Sequence, residues 1–344
     1  MRTGEGLTYE RLARTGFHRW WLPPVAVLAA AFAAAVVVCG LIGAAFLATR
    51  VLGLQSADSD VIGTPLFENL LGLVVLASFI PVTLGVARVV QRRPAGTLHS
   101  VAGRLRWRWF AVCGCLAVVV AVLAIGALTL VYDDRAELRL EIDPWQFLGL
   151  AVLLVVLVPL QAAGEEYVTR GFLLQTLGAY HRWVGILGSA LAFTLLHGLG
   201  TWSGFVALFV GAIIWALLVI RTGGLEVSIA AHAATNLLAF VVTAAAGGLD
   251  VVDDTTAAHA PLGATLILLG GDLTYLACVL TALRLVARHR PQWMPANRTA
   301  LQVVADEPQL APQPTATGDA DSGDARMSRD GAPPIAEEGV SLDQ

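Results

Sequence analysis

The sequence predicts an all-α polytopic membrane protein, built as a bundle of about eight transmembrane helices. Of its 344 residues, 56% are apolar and only 14% are charged, and the mean hydropathy is +0.70. Soluble domains carry about 25% charged residues, so a bilayer must solvate part of this chain. In addition, the apolar residues are grouped in runs of about 20, the length that spans a bilayer.

Eight such runs are predicted to span the membrane. Their approximate limits are 22–48, 65–90, 109–131, 147–168, 183–199, 203–220, 225–246 and 261–286. The first run is longer than the apolar region of a cleaved signal peptide, which has about 7–15 residues. We therefore expect it to remain as a membrane anchor.

The arginines predict the orientation, because positively charged loops stay in the cytoplasm. They cluster before the first run, between the second and third, and after the fourth, sixth and eighth, whereas the alternate loops are acidic or neutral. Both termini are therefore predicted to be cytoplasmic. The absence of Lys and the abundance of Ala and Val favour a GC-rich bacterium and its cytoplasmic membrane. The chain is not basic enough to suggest a nucleic-acid partner.

The composition divides the chain into five expected segments. They are a cytoplasmic segment 1–21, N-terminal helices and loops 22–144, a core 145–246, a final loop and helix 247–290, and a tail 291–344. The tail is rich in Pro, Gly, Asp and Ala and cannot bury enough surface to fold alone, so we expect it to be disordered and cytoplasmic.

Ionisable residues inside apolar runs are functional candidates, because burying them in a membrane is costly. The first group is Glu165, Glu166 and Arg170 in the fourth run. Glu166 and Arg170 are spaced i, i+4 with the acid first, the favourable order for a helical ion pair. Adjacent helical residues point about 100° apart, so Glu166 is expected to be structural and Glu165 to face a cavity. A plain interfacial charge cluster explains this segment equally well.

Two further groups lie in the fifth and seventh runs. His197 lies deep in the fifth, and His232 and Asn236 share one face of the seventh through their i, i+4 spacing. Taken singly, each is also explained as a polar side chain that bonds to a neighbouring helix. Asp272, in the eighth run, has no assigned chemistry, and a packing or lumen-facing role is expected.

Taken in order, the three groups read EExxxR, FxxxH and HxxxN, with Phe193 as the aromatic position. This ordered set resembles the CPBP family of intramembrane proteases, also called the ABI or CAAX-protease family, over about 145–246. The resemblance implies that Glu165 activates a water, that His197 helps to hold it, and that His232 and Asn236 orient it or stabilise the oxyanion. The catalytic residues expected from it are Glu165, Glu166, Arg170, His197, His232 and Asn236.

The expected activity is therefore a CAAX-prenyl-protease-like endopeptidase that cleaves a membrane-associated peptide or protein near the cytoplasmic leaflet. Two His and a Glu also suit a divalent metal such as zinc, with His197 and His232 as ligands, but a metal-free mechanism fits the same residues. A non-catalytic membrane scaffold or bacteriocin-immunity protein is the main alternative. A small proton-coupled transporter is another, although it predicts a second broken helix to match Pro159, which the sequence lacks.

Overall fold

The structure is a computed structural model that describes residues 7–15, 19–54, 62–132, 140–250 and 257–289. Within these ranges the chain is helical and forms no strand, so the predicted all-α fold class is confirmed. The predicted tail, 291–344, lies outside the described residues. The predicted segment 1–21 is described at 7–15 and 19–21.

Ten α-helices make up the described part of the chain. They are α1 (Leu22–Val51), α2 (Pro65–Ala77), α3 (Phe79–Val89), α4 (Trp107–Tyr132), α5 (Pro144–Glu166), α6 (Leu174–Gly178), α7 (Arg182–Leu196), α8 (Trp202–Thr222), α9 (Glu226–Ala245) and α10 (Leu262–His289). A π-helical segment, Tyr167–Leu173, joins α5 to α6. Short 3₁₀ helices occupy Tyr9–Thr15, Ala95–Leu98, Gly248–Asp250 and Ala257–His259.

Seven helical stretches in the described ranges are long and apolar enough to cross a membrane. The fourth of them, Pro144–Gly178, has 35 residues, so the predicted end of that span near 168 is wrong. The fifth predicted span, 183–199, is the 15-residue helix α7. At 1.5 Å per residue α7 is about 22 Å long, which is shorter than a hydrocarbon core of about 30 Å.

Local sequence signals account for several helix ends. The Asp143 carboxylate accepts hydrogen bonds from the backbone N–H groups of Trp145 and Gln146, and Pro144 follows as the first helical residue of α5. The Thr201 hydroxyl accepts from the N–H of Gly204 and caps α8. α8 stops at Gly223, whose φ of +76° lies in the left-handed region.

Segments predicted to share the cytoplasmic side meet at one end of the bundle. The Tyr9 hydroxyl donates to the Leu98 carbonyl at 2.6 Å, and the Arg14 guanidinium donates to the Ala179 carbonyl. The loop between α3 and α4 is tied to the start of α9 by a buried ion pair of 2.7 Å between Arg106 and Glu226.

Segments predicted to lie on the opposite side meet at the other end. The N–H of Glu141 donates to the Ala245 carbonyl at 2.8 Å, and the Asn69 amide donates to the Leu249 carbonyl at 2.9 Å. The predicted alternation of loops therefore agrees with the folded topology. Which end faces the cytoplasm remains a prediction.

α9 occupies the middle of the bundle and packs against α4, α5 and α8. The largest apolar core cluster surrounds it, with Trp109 of α4 and Tyr275 of α10 among its buried members. Because α9 carries two of the predicted site residues, this central position brings them to the other helices that carry candidate residues.

Candidate active site

The predicted site residues converge from three parts of the chain. Glu165 and Glu166 are the last residues of α5, and Arg170 follows in the π-helical segment. His197 is the residue directly after α7, and both His232 and Asn236 lie on α9. Residues separated by up to 71 positions are thus brought into one cluster, in which Glu166, Arg170 and His232 are buried and the other three are half-buried. Their catalytic roles remain predictions.

The π-helical segment is the local irregularity on which this arrangement rests. Such segments are rare and are found mostly as single insertions near functional sites. The Thr169 hydroxyl donates a hydrogen bond of 2.7 Å to the Glu165 carbonyl, across the junction between the α-helix and the π-helical segment. The helix departs from regular α geometry directly after Glu166, where the π-helical segment begins.

Glu166 is fully buried and bonded to two partners. Its Oε1 accepts a hydrogen bond from Arg170 Nη1 at 3.0 Å and one from His232 Nδ1 at 3.0 Å. The ion pair predicted from the i, i+4 spacing is therefore present. Because a carboxylate only accepts hydrogen bonds, the proton of His232 belongs on Nδ1 in this contact. Its Nε2 is turned toward the rest of the site.

Arg170 is fully buried and lies against two adjacent aromatic rings. Its Cζ lies 4.0 Å from the ring centroid of Phe193 and 5.3 Å from that of Trp215. Contacts of this kind stabilise a desolvated guanidinium. Arg170 Nε and Nη2 have no hydrogen-bond partner within the described residues, and its Nη1 donates to Glu166 at 3.0 Å and to the Thr169 hydroxyl at 2.9 Å.

Glu165 has different surroundings. Its Oε1 accepts a hydrogen bond of 2.5 Å from the Gln161 amide. Its Oε2 is buried and, within the described chain, has no hydrogen-bond partner. This oxygen lies 3.7 Å from His232 Nε2 and 4.0 Å from His197 Nε2. Both distances exceed a direct hydrogen bond, so neither histidine is bonded directly to this oxygen.

His197 and Asn236 are each fixed by a second contact. His197 Nδ1 lies 2.9 Å from the Phe193 carbonyl oxygen, which fixes the imidazole with Nε2 toward Glu165. The Asn236 amide donates to Gln161 Oε1 at 3.2 Å. Gln161 therefore links Asn236 to Glu165 through its two amide atoms.

A cavity of about 170 Å³ adjoins the cluster. Its wall is mostly apolar, and its polar members are Arg170, His197, Trp215, His232, Thr235, Asn236, Asp272 and Tyr275. The wall is formed by α4, α7, α8, α9, α10 and Arg170, and α5 contributes no residue. The prediction that Glu165 faces a cavity is therefore wrong for this cavity, because its side chain lies along α5 against Gln161 and meets the two histidines instead.

Two members of the site, Gln161 and Trp215, were not found from the sequence, and a third, Asp272, was found but given no chemical role. Gln161 could have been found, because it is a polar residue in an apolar run, one helical turn before Glu165. Trp215 gave no signal, because a tryptophan in an apolar run is normally a packing residue. Asp272 was noted without a role; it accepts a hydrogen bond of 2.9 Å from Trp215 Nε1 and lines the cavity, as the expected packing or lumen-facing role implies.

The metal prediction concerns His197 and His232 together with Glu165. These residue types form catalytic zinc sites, and the Glu166 carboxylate on His232 Nδ1 is a typical outer partner of a metal-bound histidine. However, the described residues contain no group of three His, Cys, Asp or Glu side chains arranged to hold a metal ion. Metal binding by His197 and His232 therefore stays a prediction.

Comparison with known proteins supports the predicted resemblance. Residues 144–238 match the family described as type II CAAX prenyl endopeptidase Rce1-like, and this range includes every predicted site residue. The chain is also 29% identical over 189 residues to the uncharacterized protein YyaK of Bacillus subtilis (strain 168). That alignment covers 52% of this chain and 62% of YyaK, less than two thirds of its length. A search of solved structures gives no significant match.

Proposed function

We propose that this protein is an intramembrane endopeptidase that hydrolyses a peptide bond of a membrane-associated peptide or protein with a water activated by Glu165. The Rce1-like match over residues 144–238 supports a CAAX-protease-like enzyme. The observation that carries the mechanism is the buried Glu165 Oε2. It lacks a partner among the described residues and is approached by the Nε2 atoms of His232 and His197.

The first step uses a water held between Glu165 Oε2 and the two histidines. Glu165 removes a proton from this water as its oxygen attacks the carbonyl carbon of the substrate. A carboxylate suits this task when it lies within hydrogen-bonding reach of the proton that it removes. When the tetrahedral intermediate breaks down, Glu165 returns the proton to the leaving amine, and the C–N bond is cleaved.

We assign His232 and Asn236 to stabilisation of the oxyanion. The Asn236 amide has a second N–H beyond the one donated to Gln161, and this proton can reach an oxyanion in the adjoining cavity. His232 Nε2, oriented by the contact of Nδ1 with Glu166, lies on the same side of the site. Removing one such donor typically costs about 10²–10³ in kcat.

The depth of Glu165 supports cleavage on the predicted cytoplasmic side. Glu165 lies 13 positions before Gly178 and 21 positions after Pro144 in one continuous helical stretch. At 1.5 Å per residue these separations are about 20 Å and about 32 Å. The site is thus nearer the end of the bundle at which the Arg-rich loops meet.

The test is proteolysis by the purified full chain in liposomes, with a panel of quenched membrane-peptide substrates. We expect wild-type protein to cleave at least one peptide and Glu165→Ala to cleave none. A well-folded wild-type preparation that cleaves no peptide would overturn the proposal and favour a non-catalytic scaffold.

A chelator arm of the same assay addresses the metal prediction. The mechanism through Glu165 predicts the same cleavage rate before and after chelation. Loss of cleavage on chelation, with recovery on adding zinc, would show that His197 and His232 act with a metal and would contradict the metal-free mechanism.

A further inference from the structure

The cavity beside the site combines an apolar wall with one carboxylate that the mechanism does not use. Asp272 of α10 lies on this wall, and α10 lies outside the residues that match the family. Trp215 Nε1 donates to its Oδ1 at 2.9 Å. Within the described residues no hydrogen bond reaches Oδ2. A carboxylate oxygen on a membrane-depth cavity wall requires a partner from elsewhere.

Gly211 makes room for this carboxylate. A Cβ at position 211 would lie 2.6 Å from Asp272 Oδ2, so any larger residue would displace the acidic group. The Trp215 hydrogen bond holds the other oxygen. Asp272 is therefore fixed in orientation by α8 rather than free to turn away.

Asp272 is the one carboxylate among the residues that line the cavity, and Arg170 is the one guanidinium. Arg170 is already paired with Glu166 at 3.0 Å, and no ion pair to Asp272 is present within the described residues. A carboxylate at this depth is costly unless a cation or a proton compensates it. A cationic group beside Asp272 would provide this compensation.

The size of the cavity limits its occupant. A protein cavity of about 150 Å³ holds one benzene molecule, and this one has about 170 Å³. It therefore accommodates one amino-acid side chain but not a long lipid chain. Its apolar wall suits the methylene stem of a long basic side chain, whose head remains polar.

We propose that this cavity is a specificity pocket for a basic residue of the substrate, Lys or Arg, whose cationic head pairs with Asp272. The inference rests on the proposed endopeptidase function, since it names the class of peptide that the same site prefers. The substrate would then carry a basic residue close to its scissile bond.

The test uses three peptide series in which Lys, norleucine or Gln is moved along an otherwise constant membrane peptide. For the wild type, at one position, we expect kcat/KM with Lys to exceed that with norleucine or Gln by about 10- to 100-fold, as expected for a charge-assisted hydrogen bond. In Asp272→Asn this preference should fall to near unity, mainly through KM. Asp143→Asn is the matched control, because Asn also caps a helix well, and it should keep the wild-type preference.

Binding separates this inference from the proposed function. Glu165→Gln protein should bind the Lys peptide more tightly than the norleucine peptide, and the double variant with Asp272→Asn should not. If the protein binds the Lys peptide selectively but cleaves no peptide, the endopeptidase function is refuted and the basic-residue pocket is supported. Equal binding of the Lys, norleucine and Gln peptides, or a Lys preference that survives Asp272→Asn, would overturn the pocket.

Discussion

Glu165 and Glu166 are neighbours in sequence whose carboxylates have opposite surroundings. Glu166 is fully buried and bonded to Arg170 and His232, whereas Glu165 Oε2 has no hydrogen-bond partner among the described residues. Because an unpaired buried acceptor is costly, we expect a water or a substrate atom to bind to that oxygen. Glu166 instead determines which nitrogen of His232 carries a proton.

Glu166→Gln should therefore destabilise the fold. The variant removes one charge of a pair in which both side chains are fully buried, and leaving one buried charge uncompensated costs about 3–5 kcal/mol. Thermal unfolding in detergent should show a clear decrease in Tm. Glu165→Gln, which breaks no such pair, should unfold close to the wild type. Equal Tm values for wild type and Glu166→Gln would contradict this division of roles.

The sequence predicted this division only partly. The i, i+4 spacing was enough to pair Glu166 with Arg170, because that contact lies within one helix. Gln161, Trp215 and the role of Asp272 depend on how α5, α8 and α10 pack together. No local pattern in a single sequence shows how these three helices pack together.

The long helical stretch from Pro144 to Gly178 determines the depth of the site. If the fourth span ended near residue 168, as predicted, Glu165 would lie close to the membrane surface and His197 much deeper. In the structure Glu165 is about 20 Å from Gly178 and His197 about 22 Å from Arg182, at 1.5 Å per residue. The prediction failed because Glu165, Glu166 and Arg170 lower the local hydropathy. The pairing of Glu166 with Arg170 allows the helix to continue through them.

The close packing of α2 against α5 next to Glu165 can be tested by a Gly-to-Ala substitution, which adds one methyl group. A Cβ at Gly164 would lie 2.0 Å from the Leu76 carbonyl oxygen, so Gly164→Ala must push the two helices apart. Overpacking of this kind costs about 1–3 kcal/mol, and cleavage should fall as Glu165 moves. Tm and kcat of the purified variant would measure both effects.

Gly149→Ala is the control in the same helix, since a Cβ there meets nothing within 4 Å. Alanine is favoured over glycine inside a helix by about 0.5–1 kcal/mol, so this variant should be as stable as the wild type or slightly more so. If both variants behave alike, the close approach of α2 and α5 does not position the site.

At the scale of the whole molecule, the loops sort into two groups at opposite ends of the bundle. The end held together by Arg106 with Glu226 and by Tyr9 with Leu98 carries the Arg-rich loops. The end that joins Glu141 to Ala245 carries acidic or neutral loops. The sequence predicted this sorting well, because loop charge alternates along the chain and needs no knowledge of helix packing.

The orientation follows from the positive-inside rule and can be tested by labelling single cysteines in intact cells. Glu141→Cys, at an exposed position, should react with a membrane-impermeant maleimide added from outside. Arg104→Cys, exposed at the opposite end, should react only after permeabilisation. The unmodified chain with its native cysteines gives the background. The reverse pattern would show that the site opens toward the outer leaflet.

The central claim is that Glu165 activates the water that cleaves the substrate. Its most direct test is kcat for one cleaved peptide with wild type, Glu165→Gln and Glu141→Gln, all reconstituted at equal density. We expect Glu165→Gln to lose about 10²–10⁴-fold, the contribution of a general base, while Glu141→Gln, changed at an exposed site away from the cavity, keeps the wild-type rate. A folded Glu165→Gln protein that cleaves at the wild-type rate would contradict the account.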